Sequence, residues 1–156
     1  MLCVRRSGPD QAVFLSGDGA RPILLATIEA PFDEAAASVA VDAAVECGQP
    51  LLVANVVEIP LGPLCVQMHY GGLDPSEEDE ARLRAPAELA HALGVEVERL
   101  RVLSPHPVAA LLELAAERLP GLLVFGPDRD RMPPRRYRKA ARRVRDEAAC
   151  LVWLAS

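Results

Sequence analysis

Apolar residues gather in five short runs, at 22–28, 51–57, 95–103, 122–126 and 150–154, each bounded by glycine, proline or polar residues. The runs at 22–28, 51–57, 122–126 and 150–154 are continuous and too short for helices, which predicts strands buried on both faces. The run at 95–103 alternates instead, which predicts an edge strand with one wet face. Between the runs the apolar positions recur at helical spacing. Asp33 is placed to cap a helix whose inner stripe is Ala36, Val39, Ala40, Ala43, Ala44 and Cys47, and Gly48 ends it. Ser76 with Asp79 resembles a capping box, and the acids at 77–80 suit the positive end of a helix dipole. Pro86 implies that this helix is kinked or begins late, and Gly94 marks its end.

Ser104 followed by Pro105 predicts the next helix start, with Val108, Leu111, Leu112, Ala115 and Leu119 as the buried stripe. The last helix carries Tyr137, Ala140, Ala141, Val144 and Ala148 on one side. Strand and helix thus alternate four times before a closing strand. That order implies an open, doubly wound α/β fold: a parallel five-stranded sheet with helices on both faces and right-handed crossovers. Residues 1–21 read as an N-terminal extension with a short strand at 11–16, and residues 22–156 as one domain. The 58–74 segment is long for a connection, and its apolar stretch at 64–68 suits covering a surface or pairing with another chain.

The length of 156 residues fits one domain with a real core. No apolar run approaches the roughly 18 residues of a membrane span, and the opening residues lack the pattern of a secretion signal, so the expected location is cytoplasmic. Cys3, Cys47, Cys65 and Cys150 are scattered, and His69, His91 and His106 are isolated, so no metal site is expected. Cys47 and Cys150 lie in apolar patterns and are expected to be buried. Charge is divided sharply. Residues 128–145 hold nine basic and two acidic groups, while the rest of the chain holds eight basic and twenty acidic. The basic block reads as a solvated helix face, with an anion site or an acidic partner as the alternative. Only Tyr137 interleaves its arginines, so there is no stacking platform for nucleic acid.

Several chemistries lack their residues. There is no cluster of glycines after the first strand for a dinucleotide, no nucleophile elbow and no cysteine pair. Thr27, Glu29, Asn55 and Ser104 are the polar residues nearest the strand ends, and no nucleophile, base and orienting acid converge there. An enzyme is not expected.

Across residues 22–155 the chain resembles the universal stress protein family. The resemblance rests on the runs at 23–26 and 51–57, on Asn55 and Val56 where the family often has His-Val, on Pro107, Leu111 and Ala115, on the run ending at Gly126, and on the close at 149–154. It implies a Rossmann-like fold of the adenine nucleotide alpha hydrolase type, with strand order 3-2-1-4-5. It also implies a homodimer paired through the last strand, residues 149–155. Nucleotide-binding members resemble Gly-x2-Gly-x9-Gly-Ser/Thr after the fourth strand. Here those positions hold Gly126, Arg129, Lys139 and Ala140, and only the first is kept. The family's acid at the end of the first strand aligns with Ile28, with Glu29 beside it. The nucleotide-site positions are therefore Thr27, Glu29, Val56, Gly126, Arg129, Lys139 and Ala140, in degenerate form. Side chains at required glycines block backbone approach, and prolines at 127, 133 and 134 remove amide donors. The expectation is a stress-response or regulatory module that acts through protein contacts and holds no cofactor. The alternative is ATP, AMP or another anion gripped by Arg129, Arg131, Arg135 and Arg136 in place of amides.

Overall fold

The computed structural model describes residues 3–6, 19–60 and 75–156. In chain order its elements are β1 (Cys3–Arg6), β2 (Ile23–Ile28), α1 (Glu34–Cys47), β3 (Leu51–Glu58) and α2 (Glu77–Ala92). They continue with β4 (Val97–Ser104), α3 (Pro107–Arg118), β5 (Leu122–Phe125), α4 (Pro134–Glu147) and β6 (Leu151–Leu154). One sheet runs β1-β4-β3-β2-β5-β6. Strands β2 to β6 are mutually parallel, and counted from β2 their spatial order is 3-2-1-4-5, as expected. The expected strand at 11–16 and the apolar stretch at 64–68 lie outside the described residues.

Strand β1 corrects one expectation. It pairs antiparallel with β4, Val4 opposite Val102 and Arg6 opposite Leu100, so β4 is not the sheet edge. Its alternation has another source. Leu100 and Val102 face the buried layer under α3 and α4, while the half-buried Arg99 meets Glu80 of α2 at 3.0 Å. Glu98 shares the buried face of Leu100 because Arg118 of α3 receives it with two bonds, at 2.9 and 3.1 Å.

The period-2 geometry of the strands divides the core in two. Leu24, Ala26, Ile28, Leu52, Ala54, Val56, Leu123 and Phe125 pack with Ala110, Leu111, Leu114 and Ala115 of α3 and with Tyr137, Ala140, Ala141 and Val144 of α4. Ile23, Leu25, Leu51, Val53 and Val124 pack with Ala36, Ala40, Val41 and Ala44 of α1 and with Leu83, Ala87 and Ala90 of α2.

Local chemistry sets the helix ends. The Asp33 side chain accepts the Ala36 N–H at 3.0 Å, Ser76 accepts that of Asp79 at 3.2 Å, and Gly48 closes α1 at φ 60°. Three expectations change. Helix α2 starts at Glu77 and runs through Pro86, whose ring lies on the buried side. Helix α3 starts at Pro107, with His106 as its cap residue; Ser104 instead accepts the His106 N–H at 3.1 Å. The stripe of α3 is Ala110, Leu111, Leu114 and Ala115, and Leu119 is exposed in a left-handed cap. Cys47 is also exposed and Cys150 half-buried. The buried face of α1 follows 36, 40 and 44, and Cys47 falls one step round the helix from that line.

Candidate functional site

In an open parallel sheet, ligands bind beyond the carboxyl ends of the strands where the strand order reverses. Here that point lies between β2 and β5. The chain continues from β2 into residues 29–33 and from β5 into residues 126–133, so these two loops are the walls of the crevice. They are joined by their own main chains. The Asp33 N–H donates to the Gly126 carbonyl at 2.9 Å, and the Asp128 N–H donates to the Pro31 carbonyl at 2.8 Å. Phe32 and Pro127 form a bridge between the two bonds.

Gly126 is held from both sides. Its N–H donates to Ala26 at 3.0 Å, and a Cβ built on it would stand 2.1 Å from Cβ of Ala36. Its φ is not positive. The glycine is therefore required by the first turn of α1, which crosses directly over it.

The loop beyond Gly126 uses its donors internally. Prolines 127, 133 and 134 have no N–H. The Asp130 N–H donates to Oδ1 of Asp128 at 3.0 Å. The N–H groups of Arg131 and Met132 both donate to the Asp128 carbonyl at 3.1 Å. This is an Asx-turn closed into one tight turn around Asp128. Among the described residues, Arg129, Arg135 and Arg136 are the positions from 127 to 136 whose backbone N–H has no bond within the chain. Helix α4 has Pro133 as its cap residue and Pro134 as its first residue, so its positive end offers two amides rather than four.

Side chains complete the closure. Arg82 of α2 donates to Oδ2 of Asp128 at 2.6 Å, and Arg131 meets Asp79 of α2 at 2.9 Å. Burial raises the proton affinity of Asp128. The bonds from Arg82 and the Asp130 amide, with the charges of Arg82 and Arg131, outweigh it and leave the carboxyl below its ordinary range. The bond to Asp128 holds the Arg82 guanidinium above its ordinary value. On the other wall Arg136 bridges two carboxylates, Glu29 at 2.6 Å and Glu58. Glu29 lies in the left-handed region at φ 57°, a conformation that costs about 1 kcal/mol in a residue with a side chain. Its N–H bond to Val56 at 2.9 Å and its Oε1 bond from the Glu58 N–H at 3.2 Å fix it there.

The seven positions singled out from the sequence separate. Thr27, Glu29, Val56 and Gly126 meet at the ends of β2, β3 and β5. Thr27 is fully buried and donates to the Ala30 carbonyl at 2.7 Å. Arg129 lies against Tyr137, its guanidinium carbon 4.7 Å from the ring centroid. Lys139 and Ala140 do not join them. Both lie in the second turn of α4, with Ala140 in the core and Lys139 on the exposed side. The x9 count therefore overshoots the helix start. Sequence reasoning also missed Asp128, Arg82, Glu58 and the double pairing of Arg136. Asp128 carried a local signal, an Asx-turn residue after proline. Arg82 carried none, since its partner lies 46 residues away.

A separate surface cleft lies elsewhere. A cleft of about 500 Å³, reaching Arg21, Arg118 and Cys150, opens at the amino ends of the strands, the end opposite to that used for ligands in such sheets. Among the described residues no helix is long and apolar enough to cross a membrane.

Comparison with known proteins agrees with this architecture. Solved structures share the fold at low identity. A universal stress protein in complex with cAMP is 21% identical with a TM-score of 0.57, over 87% of this chain and 96% of that one. The universal stress protein UspA from Lactobacillus plantarum is 16% identical with a TM-score of 0.65, over 89% and 100%. The universal stress protein from Archaeoglobus fulgidus in complex with dAMP is 20% identical with a TM-score of 0.55, over 87% and 98%. No protein of curated function matches the chain in sequence. The model of the universal stress protein family matches residues 19–155, and with the strand order and the crevice described above it establishes that this chain belongs to that family.

Proposed function

We propose that this protein is a universal stress protein that works as a cytoplasmic, non-enzymatic regulatory or stress-response module. It acts through protein contacts as a homodimer paired through residues 149–155, and holds no nucleotide in the crevice. The observation that carries this reading is the state of the loop after β5. Three of its positions lack an N–H, four of its amides are bonded within the chain, and two loop-side arginines, Arg131 and Arg136, are already paired with carboxylates. A phosphate would have to break those bonds before making its own.

A second reading has support of its own. Two structural neighbours are complexes with cAMP and dAMP, and among the described residues Arg129 and Arg135 have no carboxylate partner. Calorimetric titration with ATP, AMP, cAMP and dAMP separates the two. The expected result is no saturable heat with any of them. Micromolar binding that disappears in Arg129→Ala would overturn the first reading and establish the second.

A further inference from the structure

Helices α1 and α2 share one face of the sheet and leave a groove between them. Ala37, Ser38 and Val41 of α1 and Ala85, Pro86 and Leu89 of α2 line a cleft of about 530 Å³ there. Val41 and Pro86 are buried and form its floor. One helical turn further along each wall stand Val45 and Leu93. Val45, Leu89 and Leu93 are 42%, 52% and 55% exposed, three of the five large apolar side chains exposed among the described residues. Exposed apolar area gathered along one groove marks a contact surface, where single scattered residues would not. The charges beside the groove are of one sign. Helix α1 carries Glu34, Asp42 and Glu46 and no basic residue, and Glu88 is exposed beside Leu89. Among the described residues none of these four acids has a cationic partner; Asp42 accepts only the Ser38 hydroxyl, at 3.3 Å. The arginine that reaches the groove, Arg82, is engaged by Asp128 at 2.6 Å.

We propose that the groove between α1 and α2 docks a basic amphipathic helix of a partner protein. Its apolar side chains meet Val45, Leu89 and Leu93, and its lysines or arginines stand opposite the four acids. The wall from Glu34 to Val45 is about 17 Å long, three turns of helix, and the furrow between two packed helices accepts the ridge of a third. The chain itself offers no occupant of that chemistry. Residues 61–74 contain apolar side chains but no lysine or arginine. Helix α4 is basic, but its apolar residues Tyr137, Ala140, Ala141 and Val144 lie in the core. A second copy brought groove to groove would set acids against acids. The inference names a partner class for the protein contacts of the proposed function and rests on that part of it alone.

The test is fluorescence anisotropy of a labelled leucine–lysine peptide of about 14 residues, its leucines at helical spacing, titrated with the whole chain. The expected result is saturable binding, with about tenfold weaker binding of a peptide of the same composition in shuffled order and of a leucine–glutamate peptide. Val45→Gln with Leu89→Gln should weaken binding of the patterned peptide by about tenfold. Asp42→Asn with Glu88→Gln should weaken it most at low salt. Glu113→Gln with Glu117→Gln removes two exposed acids of α3, on the opposite face, and should change nothing. No binding, equal binding of the shuffled peptide, or an equal loss in the α3 variant overturns the inference, the last two by showing attraction to any acidic surface. Leu89→Gln alone separates the other occupants, since an open groove leaves the unfolding midpoint and the sedimentation of the protein unchanged. A midpoint lowered by about 4 °C or more would show that the chain's own residues cover Leu89, and a change of oligomeric state would show a second copy there. Either result overturns the inference. Failure at the groove leaves the rest of the proposed function in place, because calorimetry of the crevice and sedimentation of the wild-type dimer test it separately.

Discussion

Gly126 illustrates how one residue supports two explanations. In a family with a phosphate loop, a glycine after the fourth strand reads as space for a ligand. Here the space is taken by Ala36, whose Cβ would lie 2.1 Å from an added methyl. The crossing of α1 over β5 demands the glycine with or without a ligand. Gly126→Ala should therefore destabilise the protein by roughly 3 kcal/mol, the upper part of the range for overpacking a close contact. Adding Ala36→Gly should recover more than half of that, measured by urea unfolding. Additive losses in the double variant would show that the contact is not the cause. The same residue marks what the sequence could not disclose. Counting nine positions along a motif assumes a fixed loop length, and α4 begins at Pro134, which moves Lys139 and Ala140 away from the crevice. Cys47 fails differently, since helical spacing assigns a face but not where the neighbouring sheet stops.

Elements were more legible than sites because their signals are repeated. Six or more residues in β2 and β3 agree on burial, and the caps Asp33, Ser76 and Gly48 stand where their chemistry requires. Pro86 shows the limit. Burial of Leu83, Pro86, Ala87 and Ala90 outweighs one lost helical bond. The link between the loop after β5 and α2 was not legible, because it consists of charges paired across 46 and 52 residues. That link makes a prediction. The Asp128 carboxyl titrates below its ordinary value in the folded protein. Its contribution to stability is therefore complete above the unfolded pKa of about 3.9 and is lost as pH falls through the lower folded value. Asp128→Asn should lower stability at neutral pH by on the order of 1 kcal/mol, the scale of a half-exposed pair. It should also flatten the acid limb of the stability curve. A variant whose acid limb remains as steep as the wild-type one would place the titration in other carboxylates.

The assembled sheet has two unequal edges. On one side β1 turns antiparallel and covers β4. On the other side, among the described residues, β6 pairs with β5 alone, with Leu151 at 71% exposure and Val152, Trp153 and Leu154 half-buried. An apolar strand with an unpaired outer row of amides and carbonyls invites another strand. In the proposed dimer, pairing with its twin, antiparallel about an axis normal to the sheet, would satisfy that row without a foreign partner. The two α4 helices would then lie on the same face, side by side across the joint. Each brings Arg135, Arg138 and Lys139, which among the described residues have no carboxylate partner, while the lower half of α4 neutralises itself through Arg142 with Asp146 and Arg143 with Glu147. Apolar and main-chain contacts would therefore have to hold such a pair against like charges. Sedimentation equilibrium should give a dimer that tightens as salt is raised from about 0.05 to 0.5 M, because screening weakens the repulsion over that range. Leu151→Lys should shift it to monomer by placing a charge on the open edge. A dimer that weakens with salt would place the joint on opposite charges instead, joining the basic face of α4 to the acidic remainder of the chain. A wild-type monomer at high concentration would leave β6 as a true free edge.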